Sequence, residues 1–401
     1  MSLDYPNYEV VIVNDGSKDK TLELLMNRFQ LTKVPYAYVE KVHTKPFRGV
    51  YKSVNPAFKK LTVVDKENGG TKADASNAGL NIVSTPYFVC TDVDCIIDKN
   101  ALYRVIWPVM RSKTRMIAVS ASMRMSNGCE VRNGQMIDVK PPHSLLPLFQ
   151  DLEYTRSYLV GKNALAKMNA IQNVSGGFGL FDTEIAIAAG GYDGTSFAED
   201  MDMVGRMIRY MKDSGQDYNI VQIPETCCWT EGPSTLKVFR RQRVRWGRGL
   251  LQFYMTHWDM VGKSRYGRYG ILTLPYILIF ELSAPVIEAG GYLMIIYLFL
   301  RQAINYHTIW IVFATLYTFA QMMNMLLVML DIHVGSRFRN KREYLWFMLA
   351  SLLEPFIYHP INVFFSLNGY WNHLVGKKLV WGTMTRKGFA QSPSPQGARK
   401  S

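Results

Sequence analysis

Charge is scarce in this sequence. Of 401 residues only 19% are Asp, Glu, Lys or Arg, against roughly 25% in an average soluble protein. Acid is scarcer than base: 32 acidic residues against 46 basic ones leave a net charge of +14. Cysteine is rarer still, and the five present (Cys90, Cys95, Cys129, Cys227, Cys228) form no CxxC pair and no zinc-ligand spacing. That argues against a disulfide framework and fits a reducing compartment for the domain that carries them. No signal peptide is expected at the start, because Met1 to Asn7 is polar and runs straight into an apolar stretch. What is abundant is apolar: hydrophobic residues make 48% and aromatics 13%. Such a chain is not disordered, and low charge with high apolarity points to membrane contact. The basic excess suits nucleic acid, anionic lipid headgroups or phosphorylated substrates, and composition alone does not choose among them.

The apolar residues are unevenly placed. Up to about Trp258 short apolar runs (Glu9–Val13, Leu61–Val64, Tyr87–Cys90, Ile117–Ala121) alternate with helical stretches such as Thr21–Phe29. This pattern predicts an α/β domain over 1–258, with a mixed, mostly parallel sheet and helices on both faces. A membrane region is expected over 259–368. It holds spans at about 271–300 and 308–331, and a third apolar segment, 344–367, interrupted by Glu354-Pro355 and His359-Pro360. As one helix, Ile271–Leu300 would measure about 45 Å, too long for a hydrocarbon layer of roughly 30 Å. The basic stretch Arg337–Arg342 and the flanking Lys263, Arg265, Arg268, Lys377, Lys378, Arg386 and Lys387 place the α/β domain and both ends of the third segment on the cytoplasmic side. That segment is therefore expected to be re-entrant or interfacial, broken at its prolines, with a third crossing as the alternative. Residues 391–401 are Ser/Pro/Gly-rich and compose a tail without a core.

The chemistry-bearing residues cluster at the ends of these runs. Asn14-Asp15-Gly16-Ser17 follows a strand, where open α/β sheets hold ligands, although such a turn is most often only a turn. Asp92-Val93-Asp94 follows another strand, and two carboxylates with one spacer can converge on a hard divalent cation; in isolation a solvated acidic loop is the better reading. Asn68-Gly69-Gly70-Thr71-Lys72-Ala73-Asp74 lacks Walker A spacing but suits close approach to an anion. Glu199-Asp200-Met201-Asp202 could simply complement a helix start. Gln242 and Arg245 share a helix face with Trp246 adjacent, a pattern that alone fits a membrane-surface helix.

In order along the chain, VNDGS, NGGTKADASNAGL, TDVD, SGGFGLF, AGGYDGTSFAEDMDM and QRVRW closely resemble the family 2 glycosyltransferases. Within that family they resemble the processive membrane synthases of hyaluronan, chitin, cellulose and poly-N-acetylglucosamine. Trp381–Gly388 resembles the gating loop of such enzymes, in a segment expected over 369–390. The resemblance implies a GT-A nucleotide-diphospho-sugar transferase fold and an inverting, metal-dependent transfer from a UDP-sugar to a growing β-linked polysaccharide, coupled to export. It implies that Asp15, Lys72 and Asp74 contact the uridine of UDP, and that Asp92 and Asp94 hold Mg²⁺ or Mn²⁺. It implies Asp200 as general base, Gln242 and Arg245 on the diphosphate, Trp246 and Glu199 on the acceptor, and Arg386 closing over the donor. Expected partners are the UDP-sugar, the polymer or a lipid acceptor, and membrane lipids; no nucleic-acid motif accompanies the basic excess. The motifs do not encode the sugar, with N-acetylglucosamine favoured. Against the family pattern the chain is expected to lack an N-terminal β-α unit and transmembrane helix, which a second chain could supply. Two rival readings are a non-processive transferase acting on lipid and an inactive synthase partner.

Overall fold

The computed structural model describes residues 3–335, 338 and 340–377. Its first part alternates strands and helices: β1 (Val10–Asp15), α1 (Thr21–Phe29), β2 (Leu31–Val34), β3 (Phe47–Ser53), β4 (Leu61–Lys66), α2 (Lys72–Ile82), β5 (Tyr87–Thr91), β6 (Ile96–Ile97), α3 (Ala101–Arg111) and β7 (Arg115–Met125). A hairpin, β8 (Glu130–Arg132) and β9 (Gln135–Asp138), leads to α4 (Leu145–Arg156), α5 (Lys162–Lys167), β10 (Phe178–Asp182), α6 (Thr183–Ala188), α7 (Glu199–Asp213), β11 (Tyr218–Thr230) and α8 (Leu236–Thr256). The remainder is helical: α9 (Leu274–Tyr276), α10 (Ala284–Leu300), α11 (Tyr306–Gly335) and α12 (Lys341–Leu374).

The sheet is mixed, as expected, but less parallel than the alternation of strands and helices predicts. It is also two sheets, ordered β1-β4-β3-β2 and β5-β10-β7-β11-β6. Within them only β1–β4 and β7–β11 pair parallel among the described residues; the other ladders are antiparallel. Apolar runs locate strands, whereas direction depends on distant partners that a local pattern does not carry. Helices do cover both faces of the second sheet. Ile117 and Phe181 face α2, α6 and α7, while Met116 and Leu180 face α3. Strands β1 and β5 are edge strands, and both are largely half-buried where β4 is buried throughout. One helix joins them: α2 touches β1 where Gly79 meets Val13, and β5 where Ser76 lies 3.7 Å from the Cys90 sulfur.

The first apolar stretch is divided, which removes its length problem. Tyr269, Leu274 and Ile277 are buried in the core of the α/β domain, so only α10 projects. Its 17 residues measure about 26 Å, close to a hydrocarbon layer. No α10 residue is buried, and large apolar side chains such as Leu293, Leu300, Trp310 and Phe319 point outward from α10 and α11. Tyr269–Leu300 and Tyr306–Gly335 are both long and apolar enough to cross a membrane. The third segment departs from expectation: α12 runs unbroken through Pro355 and Pro360 and past the expected boundary at 368, to Leu374. Close packing runs along it. Gly247 of α8 and Gly369 of α12 lie so close to the opposing backbone that an added Cβ would stand 2.8 Å from the Ser366 oxygen and 2.5 Å from the Val244 oxygen, respectively. Buried arginines fasten the helices to the α/β domain: Arg124 of β7 pairs with Asp331 of α11 at 2.8 Å, and Arg243 of α8 meets the Tyr358 hydroxyl of α12 at 2.6 Å.

Candidate active site

Register brings the first site residues together. Because β5 and β10 are antiparallel, with Thr91 opposite Phe178, the residues just beyond the end of β5 meet those just before β10. Asp92 thus lies beside Gly176-Gly177. Lys72, at the first turn of α2, bridges them: its Nζ is 2.6 Å from Asp92 Oδ1 and donates to the Gly176 oxygen at 2.8 Å. Burial alone would lower its pKa, but the neighbouring Asp92, Cys90 and Glu199 charges outweigh this and hold the ammonium well above its ordinary range. Gly176 also donates its N–H to Asp200 Oδ2 at 2.7 Å, while Met201 N–H donates to Oδ1 at 2.9 Å. Only a glycine fits comfortably there, since a Cβ would stand 3.2 Å from that carboxylate and 3.3 Å from Lys72 Nζ.

The three acids at the start of α7 have separate surroundings. Asp202 is structural: it pairs with Arg206 at 2.8 Å and with the buried His257 at 2.9 Å. Glu199 is buried beside Asp200, and burial first, then that charge, pushes its carboxyl above the ordinary range. Asp200 opens into a cavity of about 940 Å³ that Lys72, Asp92, Glu199, Gln242, Arg245 and Trp246 also line. The Gln242 amide oxygen is buried there with no hydrogen-bond partner among the described residues. Arg245 donates to the Phe197 oxygen at 3.3 Å, tying α8 to the residues just before the acids.

Two residues that the motifs do not single out organise this arrangement. Lys66, fully buried at the end of β4, lies opposite Asp15 in the parallel ladder. Its Nζ is 2.7 Å from Asp15 Oδ1 and also pairs with Asp74. Asp15 and Asp74 are therefore joined through Lys66 and stand apart from Lys72, which serves Asp92. A lysine just beyond the apolar run Leu61–Val64 was the available signal. Arg243, in the middle of QRVRW, pairs with Glu153 at 2.5 Å, and its guanidinium lies 4.5 Å from the Trp246 ring centre, fixing that indole at the cavity wall. Arg386 lies outside the described residues, as do the rest of the expected gating motif and the tail.

Two sequence models match the chain: glycosyl transferase family 2 over residues 1–175 and glycosyl transferase family group 2 over residues 145–330. The chain belongs to the family 2 glycosyltransferases. Among curated members, poly-beta-1,6-N-acetyl-D-glucosamine synthase of Staphylococcus epidermidis is 27% identical over 298 residues, covering 72% of this chain and 61% of that protein. The protein of the same name from Staphylococcus aureus (strain COL) is 25% identical, covering 74% and 59%. The chain thus spans about three fifths of the length of these relatives. Among solved structures, the mannosyltransferase PcManGT from Pyrobaculum calidifontis, in complex with GDP-Man and Mn²⁺, superposes on 94% of this chain and 81% of its own. Its TM-score is 0.53 at 16% identity, a likeness of fold.

The ligand set of this family 2 glycosyltransferase fits a divalent cation. Ligand atoms of Asp92, Asp94 and Cys95 all lie within 4.8 Å of one another. Two carboxylates at a strand end suit a hard cation that keeps other positions for water or phosphate oxygens; the thiol is the softer, less suited donor.

Proposed function

We propose that the chain transfers a sugar from a UDP-sugar to a hydroxyl of a growing β-linked polysaccharide, with inversion, at the cytoplasmic face of a membrane. The observation that carries this reading is the meeting of Asp200, Lys72 and Asp92 around Gly176, in a cavity that continues to Glu288 of α10 and His359 of α12. Asp200, oriented by two backbone N–H groups, takes the proton of the acceptor hydroxyl. That oxygen attacks the anomeric carbon from the side opposite UDP, and the carbon–oxygen bond to the diphosphate breaks. Asp92 and Asp94 would hold Mg²⁺ or Mn²⁺, which supplies charge neutralisation to the diphosphate. Lys72, Gln242 and Arg245 bind diphosphate oxygens, and Trp246 with Glu199 faces the acceptor. Asp15 and Asp74 bind the uridine from the pair that Lys66 organises, and Arg386 would close over the donor.

The names of the curated relatives favour UDP-N-acetylglucosamine as donor. The outward apolar faces of α10 and α11 favour a multi-pass membrane protein in contact with lipid, exporting its product past α12. The open edges of β1 and β5 favour one further strand between them, from a preceding segment or a second chain. Membranes holding the protein, incubated with labelled UDP-N-acetylglucosamine, UDP-glucose or UDP-glucuronate, should yield a polymer from the first. Asp200→Asn should lower transfer by about 10²–10⁴-fold while UDP still binds. A single sugar on lipid would replace this reading with the non-processive one, and near-normal turnover by Asp200→Asn would remove Asp200 as the base.

A further inference from the structure

Beyond the residues that the motifs mark, one cation in the cavity lacks a hydrogen-bond or ion-pair partner among the described residues. Lys162 opens α5, directly after the π-helical turn Ser157–Gly161, and is only 6% exposed. The Tyr158 ring centre lies 4.6 Å from its Nζ, which has no hydrogen bond or ion pair among the described residues. Asp200 and Glu281 are near enough for their charges to act on it, though burial, the larger effect, brings its pKa down to about 8. The side chain lines the same cavity as Asp200, on a wall shared with Tyr158, Gln172 and Glu281. Glu281 is itself engaged by the Gln172 side chain. An ammonium that opens into a cavity without a protein acceptor offers its N–H groups to whatever fills that cavity.

The ligand's chemistry follows from the neighbours. The diphosphate-side groups Lys72 and Asp92 pair with each other, and among the described residues Lys162 pairs with neither. With two carboxylates, Asp200 and Glu281, already near the ammonium, an anionic ligand is disfavoured and an uncharged oxygen is suited. Resting on the transferase reading above, we infer that Lys162 is an acceptor-binding residue: its Nζ donates to a hydroxyl or amide oxygen of the sugar unit behind the one that receives the new residue. It thereby holds a neutral saccharide chain in line with Asp200.

The test uses the full chain in lipid nanodiscs. Lys162→Met keeps the length and removes the donor. Binding of N-acetylglucosamine oligosaccharides, read by calorimetry, should weaken by about tenfold or more, the worth of one charged hydrogen bond, and the polymer should shorten. UDP affinity should stay within about twofold, on the scale where tenfold is 1.4 kcal/mol. Lys162→Gln, which keeps an N–H donor, should recover part of the oligosaccharide affinity. The melting temperature of Lys162→Met should rise, which both shows that the variant folds and separates this role from a structural one. Unchanged oligosaccharide affinity and polymer length would overturn the assignment, as would an equal loss of UDP affinity. Wild-type protein that binds UDP and oligosaccharide yet transfers nothing would sink the transferase reading and leave this binding role standing.

Discussion

An ammonium buried against a tyrosine ring is a cost whose sign can be worked out. Lys162 titrates at about 8 in the folded protein against an ordinary 10.5, with burial the first cause and Asp200 and Glu281 opposing it. A base with a depressed folded pKa has its full stability only above the unfolded value, and loses it as pH falls through the folded one. Lys162→Met should therefore raise the melting temperature most below pH 8 and not at all above pH 10.5. The gain at neutral pH is on the order of 3 kcal/mol, which amounts to several degrees. Differential scanning fluorimetry at about pH 6.5 and about pH 10.5 checks it, and an equal gain at both would refute the titration argument. Nothing local in the sequence marks Lys162. Its burial depends on α5 packing against the distant strand β11, whereas Asp92, Asp200 and Gln242 are legible because their types recur at fixed offsets. Lys66 is an intermediate case: its place just beyond an apolar run was visible, and its Asp15 partner required the register.

Helix α12 is the element that the sequence describes least well. Two internal prolines each remove a backbone hydrogen bond and cost about 3 kcal/mol in an isolated helix, so a break is the natural expectation. The structure keeps the helix whole because α4, α8, α10 and α11 pack along it and the α8 crossing is close. Gly369→Val should force that crossing apart. We expect a stability loss of about 1–3 kcal/mol, as for an overpacked core, together with weaker oligosaccharide binding as Tyr358 draws away from Arg243 and Trp246 is freed. Melting curves and the same calorimetry decide it, and wild-type values for both would show that the crossing tolerates a side chain. Elements with local signals fared better. Helix α1 occupies Thr21–Phe29 as expected, β4 and β5 begin with their apolar runs at Leu61 and Tyr87, and β1 and β7 begin within two residues of theirs. Strand direction was not legible, and with it the juxtaposition of Asp92 and Gly176.

For the molecule as a whole, the topology proposed above places the basic residues around position 340 and the short connection near position 303 on opposite sides of the membrane. Cysteine placed at Asn340 should resist a membrane-impermeant reagent applied to intact cells, and cysteine placed at Ala303 should react. Reaction at both positions would mean that α11 does not cross. The Arg124–Asp331 pair and the Arg243–Tyr358 hydrogen bond each tie a helix of the C-terminal part, α11 or α12, to the α/β domain. The unpaired edges of β1 and β5 have a practical consequence of another kind. Strand edges recruit one another between molecules, so this protein, concentrated after extraction, should self-associate in proportion to its own abundance. Light scattering should rise with protein concentration and fall when Val11→Lys places a repelling charge on the first of those edges. Those two borders would then set the limit on how much of the protein can be kept in solution at once.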